Sequence, residues 1–223
     1  SRPIADYTGI PGDYATATPA IAGDALILGN NSGTLLGTGF NQSTPQPARV
    51  FAVNKHTGDP LWSTQVDSTT HSYVSSSVAV ADGKAIVGLS SNEELIAAYV
   101  PNAFWQWNFR GNVVALNVET GQLIWKTYTT PSGYYGAAVD FGTTAIDRKS
   151  ATVYVATGHN YAVPQPVLDC LAGGAAPQAC MSAANHFNSV IALDLNTGQI
   201  KWSSRSSPTD VWNASCGFGI PGV

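Results

Sequence analysis

One block of sequence occurs three times and limits what this chain can fold into. Val50-Phe-Ala-Val-Asn-Lys-His-Thr-Gly-Asp-Pro-Leu-Trp62 returns as Val113-Val-Ala-Leu-Asn-Val-Glu-Thr-Gly-Gln-Leu-Ile-Trp125. It returns again as Val190-Ile-Ala-Leu-Asp-Leu-Asn-Thr-Gly-Gln-Ile-Lys-Trp202. Alanine, Asn or Asp, Thr-Gly and Trp keep fixed offsets, so each copy is one structural unit used three times. Each reads as a β-hairpin. An alternating strand ends at Asn or Asp, whose side chain can bond the turn backbone, and Thr-Gly supplies the positive φ of a tight turn. The return strand then sets Trp on a fixed face, ready to pack on a neighbouring unit.

A second hairpin precedes each copy. Thr18–Gly29 alternates, turns at Gly23-Asp24 and alternates again; Ser77–Gly88 does so through Asp82-Gly83, and Thr144–Val155 through a longer turn. No convincing helix is expected. The tryptophans lie 63 and 77 residues apart, the excess over four short strands falling in inserts at Asn92–Asn108 and Asn160–Asn188. The expected fold is therefore all-β, with three consecutive four-stranded blades of a propeller, roughly residues 14–66, 72–130 and 134–206, and a further blade beginning over 207–223. Propellers close with about 4–8 blades, so three leave the ring open. The chain reads as part of a longer, eight-bladed propeller cut short after Val223, with the remaining blades as its partner in the same or another polypeptide.

Composition narrows the function classes. Only 11% of the 223 residues are charged against 44% hydrophobic, and the net charge is −4. Low charge with an ordinary apolar content argues for a folded domain rather than disorder. Ten Lys and Arg give no basic face for nucleic acid. No apolar run approaches the ~18 residues of a membrane helix. Cys170 and Cys180 bracket a small polar loop, and a disulfide between them explains the spacing better than two unrelated buried thiols. Cys216 is left over, as if its partner were missing. Together with Asn-x-Ser sites at Asn30, Asn41 and Asn213, this points to a secreted or otherwise extracytoplasmic glycoprotein.

The Ala-x-Asn/Asp-x-x-Thr-Gly-x-x-x-Trp signature resembles the tryptophan docking motif of eight-bladed quinoprotein dehydrogenases, and the polyvinyl-alcohol-dehydrogenase-like group in particular. Gly88–Glu94, Phe109–Leu116, Tyr135–Ala138, Val155–Gly158, Asn188–Leu195 and Asp210–Trp212 carry the resemblance across nearly the whole chain. It implies oxidation of a primary, secondary or polymeric alcohol, with pyrroloquinoline quinone and Ca²⁺ as cofactors on the propeller axis. Residue by residue, it implies Ser75 and Ser91 as quinone-binding hydroxyls, Phe141 as the ring stacked on the quinone, and Glu94 as a metal ligand; Glu93 is the neighbouring alternative. Where the family has a metal-binding Asn after Thr-Gly, this chain has His159, with Asn160 one position later as the remaining candidate ligand. Where the family has its catalytic Asp, this chain has Asn213, an amide that accepts no proton. Asp210 is then the nearby candidate base. The stretch Gly9–Ala17 lacks the family's adjacent cysteines and following Arg. These departures support an alternative: a secreted propeller of the same descent, without catalysis, that binds a ligand, a glycan or a partner protein.

Other chemistry is thin. His56, His71, His159 and His186 form no spaced pair suited to zinc. The insert Tyr99-Val-Pro-Asn-Ala-Phe-Trp-Gln-Trp107 reads either as a loop packed on the propeller or as an aromatic platform for a sugar or apolar polymer.

Overall fold

In the computed structural model, residues 2–31, 46–98, 106–140, 142 and 144–217 are described. The first sheet has the order β1-β2-β3-β4, with β1 Ala20–Ala22, β2 Ala25–Gly29, β3 Arg49–Asn54 and β4 Pro60–Gln65. The second joins β6 Ala79–Ala81, β7 Lys84–Ser91, β8 Asn112–Asn117 and β9 Leu123–Tyr128. The short β5 Ser72–Tyr73 adds to the far end of β7. The third has the order β11-β12-β14-β15, with β11 Ala145–Asp147, β12 Thr152–Ala156, β14 Ser189–Asp194 and β15 Ile200–Arg205. A two-stranded pair, β10 Tyr135–Gly136 with β13 Asn160–Ala162, links the second and third units. Every pairing among these strands is antiparallel, so the chain is built of three blade-type meanders.

The repeated motif explains the blades at atomic level. Asn54, Asn117 and Asp194 each accept two turn N–H groups on Oδ1, at 2.9–3.2 Å, and Gly58, Gly121 and Gly198 follow at φ 74°, 70° and 72°. In each unit the motif Ala pairs directly across from the motif Trp: Ala52 with Trp62, Ala115 with Trp125, Ala192 with Trp202. A small side chain opposite an indole keeps the sheet face level, and the register slips one residue later at the same place in all three.

Between units the tryptophans dock. The Trp62 indole donates to the Val118 carbonyl at 3.0 Å while Thr64 Oγ1 donates to the Gly121 carbonyl at 2.8 Å. One blade later, Trp125 donates to Leu195 at 3.1 Å and Thr127 to Gly198 at 2.6 Å. A methyl on Gly121 or Gly198 would lie 2.5–2.6 Å from the docked ring, so the seat admits only glycine. The matching seat at Gly58 is taken by the chain's own Tyr7, on helix α1 Ala5–Thr8, whose hydroxyl donates to the Gly58 carbonyl at 3.0 Å and whose ring stacks on Phe51. Two apolar cores fill the wedges between blades, one around Ile27, Val87 and Leu116, the other around Ile86, Val153 and Leu193.

Three expectations need correction. The chain does hold helix: besides α1, α2 spans Glu93–Ile96, α3 Gln165–Ala172, α4 Pro177–Cys180 and α5 Ala214–Gly217. The segment between the cysteines is thus not a plain loop. Cys170 and Cys180 are bonded, Cα atoms 5.7 Å apart, joining α3 to α4, while Val167 and Met181 pack on Tyr134 and Phe187. Asn30 and Asn213 are poor glycan acceptors, because both side chains are buried and their amides donate to Asp13 and to the Tyr161 carbonyl. Asn41 lies outside the described residues. Of the aromatic insert, residues 99–105 also lie outside them; Trp107 packs against the core with its ring 5.9 Å from Tyr161. Cys216 is a free, exposed thiol, and no helix among the described residues is long and apolar enough to cross a membrane.

Candidate functional site

Segments entering and leaving the inner strands converge at one end of the second and third blades. Helix α2 opens directly after β7, and its first turn splits two adjacent glutamates. Glu93 points inward, 1% exposed, and its Oε2 accepts the backbone N–H groups of Asn108 and Phe109 at 3.1 and 3.0 Å. Burial pushes its carboxyl up to about 7 despite those bonds. Glu94 turns the other way and meets His159, which precedes β13, with Oε2 2.9 Å from Nε2. The contact lies off the hydrogen-bonding direction, and neither atom has a hydrogen-bond partner among the described residues.

His159 is held in place by aromatic rings, edge-on to Trp212 at 5.4 Å and tilted on Tyr161 at 5.6 Å. Burial pulls the imidazole down, but Glu94, with Asp210 and Asp140 behind it, more than reverses this and the ring titrates above its ordinary value. Asp140 accepts a hydrogen bond from the Ser75 hydroxyl at 3.2 Å. Burial raises its carboxyl and Glu94 adds to the rise, against the Ser90 and Ser75 hydroxyls and His159. The Tyr161 hydroxyl is pushed well above the phenol range by burial and by Asp140 and Glu94.

The sequence-derived candidates divide as follows. Ser75 and Glu94 reach this cluster. Asp210 stands at its edge, with Oδ2 accepting from Asn188 Nδ2 at 2.6 Å. The Ser91 hydroxyl accepts the Glu93 N–H at 3.1 Å, and the side chain is buried. Asn160 is fully buried and paired amide to amide with Asn185, at 2.8 and 3.2 Å, with Nδ2 also near the Tyr135 carbonyl. Its side chain braces β13 rather than facing Glu94. Phe141 lies outside the described residues. Sequence reasoning missed Asp140, Tyr161 and Trp212 as members of the cluster. Asp140 has no motif to mark it, whereas the pattern Gly158-His-Asn-Tyr161 beside Trp212 offered a signal for the aromatic pair.

The donor chemistry discriminates between the two implied cofactors. A tricarboxylate quinone wants neutral or cationic donors; the buried Asn92 Nδ2, which has no partner among the described residues, is of that kind, whereas the Ser75 hydroxyl already donates to Asp140. The unspent Asn92 donor fits the quinone. Calcium takes 6–8 oxygens at about 2.3–2.6 Å. Here an imidazole lies against the Glu94 oxygen, the Asn160 amide is spent on Asn185, and among the described residues no three His, Cys, Asp or Glu side chains form a metal-binding group. Calcium does not fit.

Comparison with known proteins agrees with the architecture. The family model described as "Outer membrane protein assembly factor BamB" matches residues 40–204. Polyvinylalcohol dehydrogenase of a Pseudomonas species is 27% identical over 185 residues, and that of Sphingopyxis sp. strain 113P3 is 29% identical over 184. Each match covers 75% of this chain but 25% of the relative, so the chain spans about a quarter of the length of these curated proteins. Among solved structures, quinohemoprotein alcohol dehydrogenase ADHIIG of Pseudomonas putida HK5 superposes with a TM-score of 0.60 at 17% identity, over 87% of this chain and 27% of that one. A europium-containing methanol dehydrogenase gives 0.57 at 16%, over 88% and 33%. Likeness at that identity concerns the fold alone.

Proposed function

Because the chain belongs to the repeat family of the outer membrane protein assembly factor BamB model and has quinoprotein alcohol dehydrogenases among its relatives, we propose that it forms three blades, and one wall of the quinone end, of an alcohol-oxidising quinoprotein. One observation carries this reading. Ser75 and Glu94 come from the second blade, His159 from the third and Asp210 from the segment after it, yet they belong to one cluster of interacting groups. The substrate class is a primary, secondary or polymeric alcohol, as the names of the polyvinylalcohol relatives suggest. The remaining blades are the structural partner. The Cys170–Cys180 bond supports an extracytoplasmic setting.

The Asn92 amide, and the Ser75 hydroxyl once turned away from Asp140, would hold the quinone carboxylates. When bound, pyrroloquinoline quinone supplies a two-electron centre that accepts hydride from the alcohol carbon. Asp210, its orientation fixed by Asn188, takes the hydroxyl proton as the carbonyl product forms. Trp212, 41% exposed beside His159, offers an apolar wall to the substrate. The test is quinone titration and dye-linked alcohol oxidation on the complete protein. Asp210→Asn should lower kcat by roughly 100-fold or more with quinone binding retained. A second reading, a propeller of the same descent that binds a ligand without catalysis, is favoured by Asn213. Its amide is tied to Tyr161 and Ser215 and offers no base. No quinone binding at millimolar concentration would leave that reading alone.

A further inference from the structure

We propose that the side chain of His159 fills the cation position of this site, so that these blades bind no calcium beside Glu94. The proposal rests on the reading of this blade end as the quinone end. Its physical basis is occupancy. Glu94 is the carboxylate the family resemblance assigns to the cation, and its Oε2 faces His159 Nε2 at 2.9 Å with no hydrogen-bond partner among the described residues. A hard cation at that oxygen would sit about 2.3–2.6 Å away, in the space the imidazole already takes.

The ring has little freedom to leave. Trp212 meets it edge-on and Tyr161 lies against its other side, while the Tyr161 hydroxyl is anchored on the Ser91 carbonyl at 3.4 Å. The residue that could replace it as an oxygen ligand is also fixed. The Asn160 side chain is locked to Asn185, while its backbone N–H donates to the Asp210 carbonyl at 3.1 Å and its backbone carbonyl accepts the Trp212 backbone N–H at 2.9 Å. Turning the Asn160 amide toward Glu94 would break its pairing with Asn185, and moving its backbone would break the bridge that holds Val211 beside β13. One substitution, from an oxygen donor to an imidazole, therefore converts a cation site into a side-chain contact.

Terbium(III) occupies oxygen-lined calcium sites and emits when a nearby indole passes it energy, and Trp212 is placed as the antenna. This readout needs neither quinone nor turnover. Wild-type protein should give no terbium emission on indole excitation. His159→Asn should raise emission at least about tenfold, with the weak affinity of a site built from few carboxylates. His159→Asp, which adds a carboxylate, should bind more tightly, and adding Glu94→Gln to either should abolish the signal. Thermal melts establish that each variant is folded. Wild-type emission that Glu94→Gln removes would overturn the proposal, as would silence from both folded His159 variants. Failure of quinone binding with the terbium pattern intact would remove the enzymatic reading and leave the cation replacement standing.

Discussion

Glu93 and Glu94 are adjacent and chemically identical, yet one is buried beneath the site and the other faces His159. Both stand at the start of the four-residue helix α2, where successive positions point about 100° apart. Glu93 serves as an acceptor for the returning segment at Asn108 and Phe109. Its carboxyl, ordinarily near 4.5, stands at about 7, so it binds its proton more tightly in the native state than in the unfolded one. Its contribution to stability is therefore full below pH 4.5 and is lost as pH rises to about 7, amounting to about 3 kcal/mol. Urea unfolding at about pH 5 and about pH 8 should show a fall in stability that shrinks in Glu93→Gln; an equal fall in both proteins would refute this assignment. The sequence could not rank these two glutamates, because nothing in residue type reveals which way a single turn faces. The same holds for Asn160, whose carboxamide is as good a cation ligand on paper as it is a partner for Asn185.

The blade motif was far more legible. Asn or Asp, Thr-Gly and Trp each answer a local demand, and the structure satisfies the turn three times and the tryptophan docking twice, with nearly the same distances. The docking seat invites a double-mutant test. Trp125→Ala should cost about 3–5 kcal/mol as a buried indole is removed. Gly198→Ala should cost about 2–4 kcal/mol, since the new methyl meets the ring and a positive φ. Together they should cost at least about 1 kcal/mol less than the sum, because the clash needs the ring. Strict additivity in thermal or chemical unfolding would show that the seat is not the cause. The helical insert was missed for an identifiable reason. Pro166 and Pro177 sit in the first turns of α3 and α4, where proline favours a helix start, and between abundant Gly and Ala they read instead as loop. Reducing the Cys170–Cys180 bond should speed amide exchange across 165–181 while β14 and β15 stay protected; unchanged exchange in the insert would mean that packing on Phe187 suffices.

At the scale of the molecule, the three blades present unlike ends. Trp202 repeats the chemistry of Trp62 and Trp125 but is 48% exposed, resting only on Tyr154 among the described aromatic rings. That face offers a docking tryptophan with no Thr-Gly turn from the described residues to receive it. The 223-residue polypeptide on its own should therefore self-associate with rising concentration, and Trp202→Ser should weaken the association. Sedimentation showing a monodisperse species of about 23 kDa at high concentration would contradict this. At the first blade, Tyr7 fills the Gly58 seat from 51 positions earlier in the same chain, its ring stacked on Phe51. A tryptophan arriving there from another unit would have to displace that phenol before it could dock, so the seat at Gly58 is in competition where those at Gly121 and Gly198 are not.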